Sequence, residues 1–116
     1  MKNNIQFQRL VKSIQSSHVQ GLFVFMFIQG KTMNDVAAET GITRQTLSSW
    51  KKGGNITHKN VERVARRYAI DAHLLYDAKS IIEKLIADCP DHIVRGEYGE
   101  YLAEYTYLSI ANLAES

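Results

Sequence analysis

Residues 43–52 read Thr-Arg-Gln-Thr-Leu-Ser-Ser-Trp-Lys-Lys. The two large apolar side chains, Leu47 and Trp50, are three apart, so on a helix they share the inward side. Arg44, Gln45, Ser48 and Ser49 then fall together on the outer side. Arginine offers a fork of donors that matches guanine O6 and N7, and glutamine pairs with adenine N6 and N7. Serines are short donors and acceptors able to reach bases or phosphates. The chemistry these residues suit is hydrogen bonding to base edges in a major groove, not bond making.

Little else in the chain suggests a reaction. His18, His58, His73 and His92 are scattered at no ligand spacing. The acidic residues show no pairing for acid–base work, and there is no nucleophile elbow or phosphate loop. No cofactor motif is present, so neither an enzyme nor a cofactor is expected. Cys89 is the only cysteine, which rules out a disulfide within the chain and leaves an ordinary thiol. The apolar run at residues 22–28 is far short of the roughly 20 residues that cross a bilayer. It also lacks a small-residue cleavage site after it, so the expected location is the cytoplasm.

Charge is divided along the chain. Residues 1–68 carry eleven Lys/Arg against three Asp/Glu, or +8; residues 69–116 carry three against nine, or −6. A basic first part suits a polyanionic partner, and the acidic remainder suggests a different task.

The elements that must position residues 43–52 can be read from periodicity and caps. Phe7, Leu10, Val11 and Ile14 define an amphipathic helix over residues 4–16, with a break at Ser16-Ser17. Residues 18–29 are apolar nearly all round, which marks a central core helix that Gly30 ends. Thr32 caps the next helix with Asp35 in a capping-box position, and Val36, Ala37 and Thr40 form its inner face. Gly41 sits where a left-handed backbone is needed. Thr43 caps the helix that carries Arg44, and Ile42 staples to Leu47. Thr57 caps another, with Val61, Val64, Ala65 and Tyr68 inward and Lys59, Arg63, Arg66 and Arg67 outward. Asp71 is predicted to cap one helix running to Cys89-Pro90, where proline stops it. Gly96 and Gly99 are taken to bracket the start of a last helix over residues 98–113.

The stretch Val36-Ala37, Gly41-Ile42-Thr43, Leu47, Trp50 and Lys51-Lys52-Gly53 resembles the lambda-repressor-like (Cro-type) helix-turn-helix family. The likeness continues through Val61, Val64, Ala65 and Tyr68 to Ile70-Asp71 and Leu74-Leu75, covering about residues 18–76. It implies that Arg44, Gln45 and Ser48 read bases while Thr43, Lys51, Lys52 and Asn55 lie near phosphates. Lys59 joins them as a cation flanking the reading helix. Trp50, at an inward position, is core rather than a base-stacking platform. The family's glutamine at the start of the first motif helix, a phosphate contact, is replaced by Met33. Lys31 or Asn34 would have to supply that contact.

The expected fold is thus all-α: a compact helical bundle containing a helix-turn-helix, with an added N-terminal helix and a C-terminal helical extension. Residues 1–78 are assigned to the DNA-binding domain and 79–116 to the extension. The last helix has two readings. Its Tyr101, Tyr105 and Leu108 face either folds onto the chain's own core or pairs with a second copy. The few base contacts of one small module favour a homodimer on a two-fold operator. The function expected is a DNA-binding transcriptional regulator of phage or bacterial type, acting by occupying an operator. The alternative is an antitoxin or antirepressor-like module whose acidic, aromatic C-terminal helix holds a protein partner.

Overall fold

A computed structural model describes residues 4–115, with side chains over residues 5–111. Among these residues there are seven α-helices, one 3-10 turn and no strand. The helices are α1 Asn4–Ser13, α2 Gln20–Gln29, α3 Met33–Thr40, α4 Arg44–Lys51, α5 His58–Arg67, α6 Ala78–Asp88 and α7 His92–Glu115, and the 3-10 turn spans Ala72–Tyr76.

The core is organised around α2. Residues Gly21 to Met26 are six consecutive buried positions, so the helix has neighbours on nearly every side. It packs against α1, α6 and the 3-10 turn, while α3 braces α4 and α5. A Cβ added at Gly21 would overlap the backbone carbonyl of Leu74 and come within 2.9 Å of the Asp77 carbonyl oxygen. Only glycine lets the turn lie this close. Gly30 ends α2 in the left-handed region, φ 69°. Ser17 links α1 to α2 by accepting the Val19 amide at 3.1 Å.

The structure alters two expected boundaries. The helix predicted from Asp71 to Cys89 is broken: a 3-10 turn leads to Asp77, where α6 starts afresh. Asp71 makes no side-chain cap, whereas the Asp77 carboxylate accepts from the Ser80 amide at 3.2 Å and its hydroxyl at 2.5 Å. Burial of Leu74 and Leu75 beside Gly21 holds the turn in place against a continuous helix.

The last helix begins six residues before the expected position 98 and runs through Gly96 and Gly99. Asp91 starts it by accepting the Ile93 and Val94 amides at 2.8 and 3.1 Å. Arg95 donates back to the Cys89 carbonyl at 2.6 Å, tying the corner between α6 and α7.

Tyr101, Tyr105 and Leu108 do not stand free for a second copy. They face the chain's own bundle. Tyr101 is buried, with its ring 4.9 Å from that of Phe7 and 5.7 Å, edge-on, from that of Phe27. Gln8 donates to Glu104 at 2.7 Å, and the Tyr105 hydroxyl to Gln20 at 3.4 Å.

Gly21→Ala is expected to destabilise the chain by about 2 kcal/mol, through overpacking against the turn. The urea midpoint measures this, and an unchanged midpoint would show that the turn yields freely.

Candidate nucleic-acid interface

The site is built from two eight-residue helices, α3 and α4, meeting at Gly41, whose φ is 78°. Thr32 begins α3 with a reciprocal box: its hydroxyl accepts the Asp35 amide at 3.1 Å, and its own amide donates to the Asp35 carboxylate at 2.9 Å. These bonds from Thr32 hold the Asp35 carboxyl below the usual carboxylate range. At the other end, buried Thr40 donates to the Val36 carbonyl at 2.7 Å and accepts the Ile42 amide at 3.2 Å. The turn is therefore satisfied internally, as a buried connection requires. Thr43 caps α4 by accepting the Thr46 amide at 3.1 Å.

Val36, Ile42, Leu47 and Trp50 are all buried and hold α4 from behind. In front, Arg44, Gln45 and Ser49 are exposed and Ser48 is half-buried, so all four expected reading residues share the outer side. Gln45, Ser48, Ser49 and Lys52 line a shallow depression with Gly53 and Gly54. Its edge is set by the returning chain: the Gly54 amide donates to the Ser49 carbonyl at 2.8 Å, and a Cβ at Gly54 would overlap the Ser49 hydroxyl. Gly53, at φ 91°, lies against the Ser16 carbonyl and seats this loop on the turn after α1.

The expected phosphate contacts are placed unequally. Thr43, Lys52, Asn55 and Lys59 are exposed around α4 and the first turn of α5, and Lys51 is half-buried beside them. Lys31 lines a groove with Met33 and Lys51 and is also paired. Its ammonium pairs with Glu39 at 3.0 Å and lies 5.1 Å above the Tyr68 ring. Asn34 is exposed on the first turn of α3. Met33, where the family carries glutamine, is half-buried in an apolar groove with Leu10, Phe23, Met26 and Phe27. Its side chain serves packing.

A cluster of polar side chains gathers around Glu39. Glu39 accepts from the Tyr68 hydroxyl at 2.6 Å as well as from Lys31, and Arg67 donates to the Glu39 backbone carbonyl at 3.1 Å. It clamps α3 to the end of α5. The hydrogen bond from Tyr68, then that from Lys31, lowers the Glu39 carboxyl below its ordinary value. Burial, then the bond to Glu39, raises the Tyr68 phenol above its own. A partly buried tyrosine hydroxyl usually needs a partner, and that was the signal available in the sequence. A second clamp joins α5 to the 3-10 turn: His58 bonds the Tyr76 hydroxyl at 2.9 Å and Glu62 at 2.8 Å.

No three His, Cys, Asp or Glu side chains among the described residues converge where a metal ion could be held. No described helix is long and apolar enough to cross a membrane.

The Glu39 clamp makes stability depend on acid. Its folded pKa is depressed, so its contribution is present above the ordinary value of 4.5 and disappears as pH falls through the lower folded value. Glu39→Gln is expected to lower the urea midpoint at neutral pH and to flatten its decline between about pH 6 and about pH 3. Asp35 retains its own share of that decline. An unchanged decline would show that Glu39 does not contribute to it.

Comparison with known proteins gives one finding. Residues 29–75 match the family model described as helix-turn-helix. No curated protein and no solved structure matches the chain. The matched residues begin at the end of α2 and close within the 3-10 turn, so they enclose α3, α4 and α5. This segment, two short helices about Gly41 with a third bracing them, is thus similar to helix-turn-helix domains of lambda-repressor and Cro type.

Proposed function

We propose that the chain is a sequence-specific transcriptional regulator that lays α4 in the major groove of an operator. The observation that carries this reading is the two-sidedness of α4. Leu47 and Trp50 are buried behind it, while Arg44, Gln45, Ser48 and Ser49 share the side away from the core. Such a helix has a fixed orientation and a polar reading edge, as major-groove recognition needs.

Arg44 and Gln45 are the base-reading pair, with Ser48 and Ser49 filling the adjacent edge. Thr43, Lys51, Lys52, Asn55 and Lys59 hold the flanking phosphates and set the register. Lys31, already paired with Glu39, is left out of this set. The +8 charge of residues 1–68 supports a polyanionic partner for this part of the chain. A homodimer on a two-fold site doubles the few contacts of one module, and occupation of the operator blocks transcription.

Selection of bound sequences from random DNA is expected to return one short inverted repeat. On that site Arg44→Ala should cost about 1–3 kcal/mol and relax the preference at a single base pair. Lys52→Ala should weaken all sequences alike and reduce the salt slope by about one. If Arg44→Ala and Gln45→Ala both bound with unchanged affinity and preference, α4 would not be the reading helix.

A further inference from the structure

Four large apolar side chains stand out in solvent among the described residues, and three of them are on α7: Ile93 at 77% exposure, Tyr107 at 67% and Ile110 at 62%. Tyr107 and Ile110 are three residues apart, and Ile93 lies two heptads before Tyr107. All three therefore stand on one side of the helix, opposite the Tyr101, Tyr105 and Leu108 side that packs on the bundle. The same outer side carries Gly96, Gly99 and Ala103. A Cβ built at Gly96 or Gly99 meets no atom of this chain within 4 Å. Each glycine costs a helix interior about 1 kcal/mol, and nothing in its own chain requires it.

The arrangement is symmetric in sequence about Ala103. Gly99 and Tyr107 lie four residues to either side, and Gly96 and Ile110 lie seven. Two copies of α7 laid antiparallel would set Tyr107 of each over Gly99 of the other, and Ile110 over Gly96. Large side chains meet the positions that have none, the geometry by which helices approach closely. The helix is thus complementary to itself, which is the requirement of a two-fold interface.

Charge selects the same orientation. Between residues 92 and 104 the helix carries Arg95, Glu97, Glu100 and Glu104, whereas residues 105–111 carry no Asp, Glu, Lys or Arg. A parallel pair would bring Glu100, which borders the seam, beside its copy, and like charges across an interface are costly. An antiparallel pair lays each acidic half on an uncharged half and opposes the two helix dipoles.

We propose that a second copy of this chain covers this surface, as an antiparallel α7 pair with its two-fold axis at Ala103. The seam lies on the side of α7 opposite Tyr101, Tyr105 and Leu108. It deepens the homodimer of the operator reading by naming the surface, and its test uses no DNA, so the two can fail separately.

The test is sedimentation equilibrium of the full chain over a concentration series. The expected result is a monomer–dimer equilibrium that Tyr107→Glu weakens by about tenfold or more without moving the thermal midpoint of dilute protein. Gly99→Leu is expected to weaken it similarly while leaving that midpoint equal or higher, because the new side chain meets nothing in its own chain. In a Cys89→Ser background, Ala103→Cys should oxidise to a covalent dimer, and Glu83→Cys, exposed on α6, should not. A chain that stays monomeric at every concentration would overturn the proposal. So would a dimer that survives both Tyr107→Glu and Gly99→Leu.

Discussion

An eight-residue helix is too short to persist in water by itself, where about 12–15 residues are marginal. The helix α4 therefore exists through what Leu47 and Trp50 do behind it. Both are buried in the core that α2 organises. Their burial fixes the rotation of α4 about its axis, and that rotation decides which residues face outward. A groove reader whose orientation wandered would lose register with the bases, since bidentate contacts tolerate little displacement. The Thr43 cap and the internally bonded turn at Thr40 set where α4 begins. The tryptophan sets which way it faces.

That dependence extends beyond the residues matched by the family. Segment 29–75 contains three helices of eight, eight and ten residues, and its inner side chains share one core with α1, α2, α6 and α7. Phe7, Phe27 and Tyr101 form an aromatic triad where α1, α2 and α7 meet. Offset and edge-on ring pairs of this kind add about 0.5–1.5 kcal/mol each beyond burial. The flanking helices are thus part of what makes the central motif rigid.

Where the sequence carried local chemistry, it was readable. Thr32, Asp35, Gly41, Thr43 and Thr57 act through bonds to residues a few positions away, and each lies at a helix end as the caps implied. The outer side of α4 followed from the spacing of two apolar residues. Features decided by distant partners were not readable. Asp71 and Asp77 look alike as caps, and the choice between them depends on carbonyls packing against Gly21, some fifty residues earlier. The pairing of Lys31 with Glu39, and its place over the Tyr68 ring, depend on residues brought together by the fold. Gly96 and Gly99 read as helix breakers by propensity, yet Asp91 starts the helix ahead of them and the packed side carries it through.

Met33 shows how a departure from a family pattern can be absorbed. The resemblance implies a glutamine that often stands here to contact phosphate and support the reading helix. In this chain Met33 lies in an apolar groove whose lining includes Lys31 and Lys51, next to Phe23 and Met26. An unbranched, polarizable side chain fits such an irregular gap well. The mechanical half of the glutamine's task, bracing the motif, passes to packing and to the Glu39 clamp between α3 and α5. The electrostatic half has no counterpart in the Met33 side chain itself, because methionine offers no donor. Asn34, exposed on the first turn of α3, is the neighbouring donor left to take up that half, beside the residues around α4 and the start of α5.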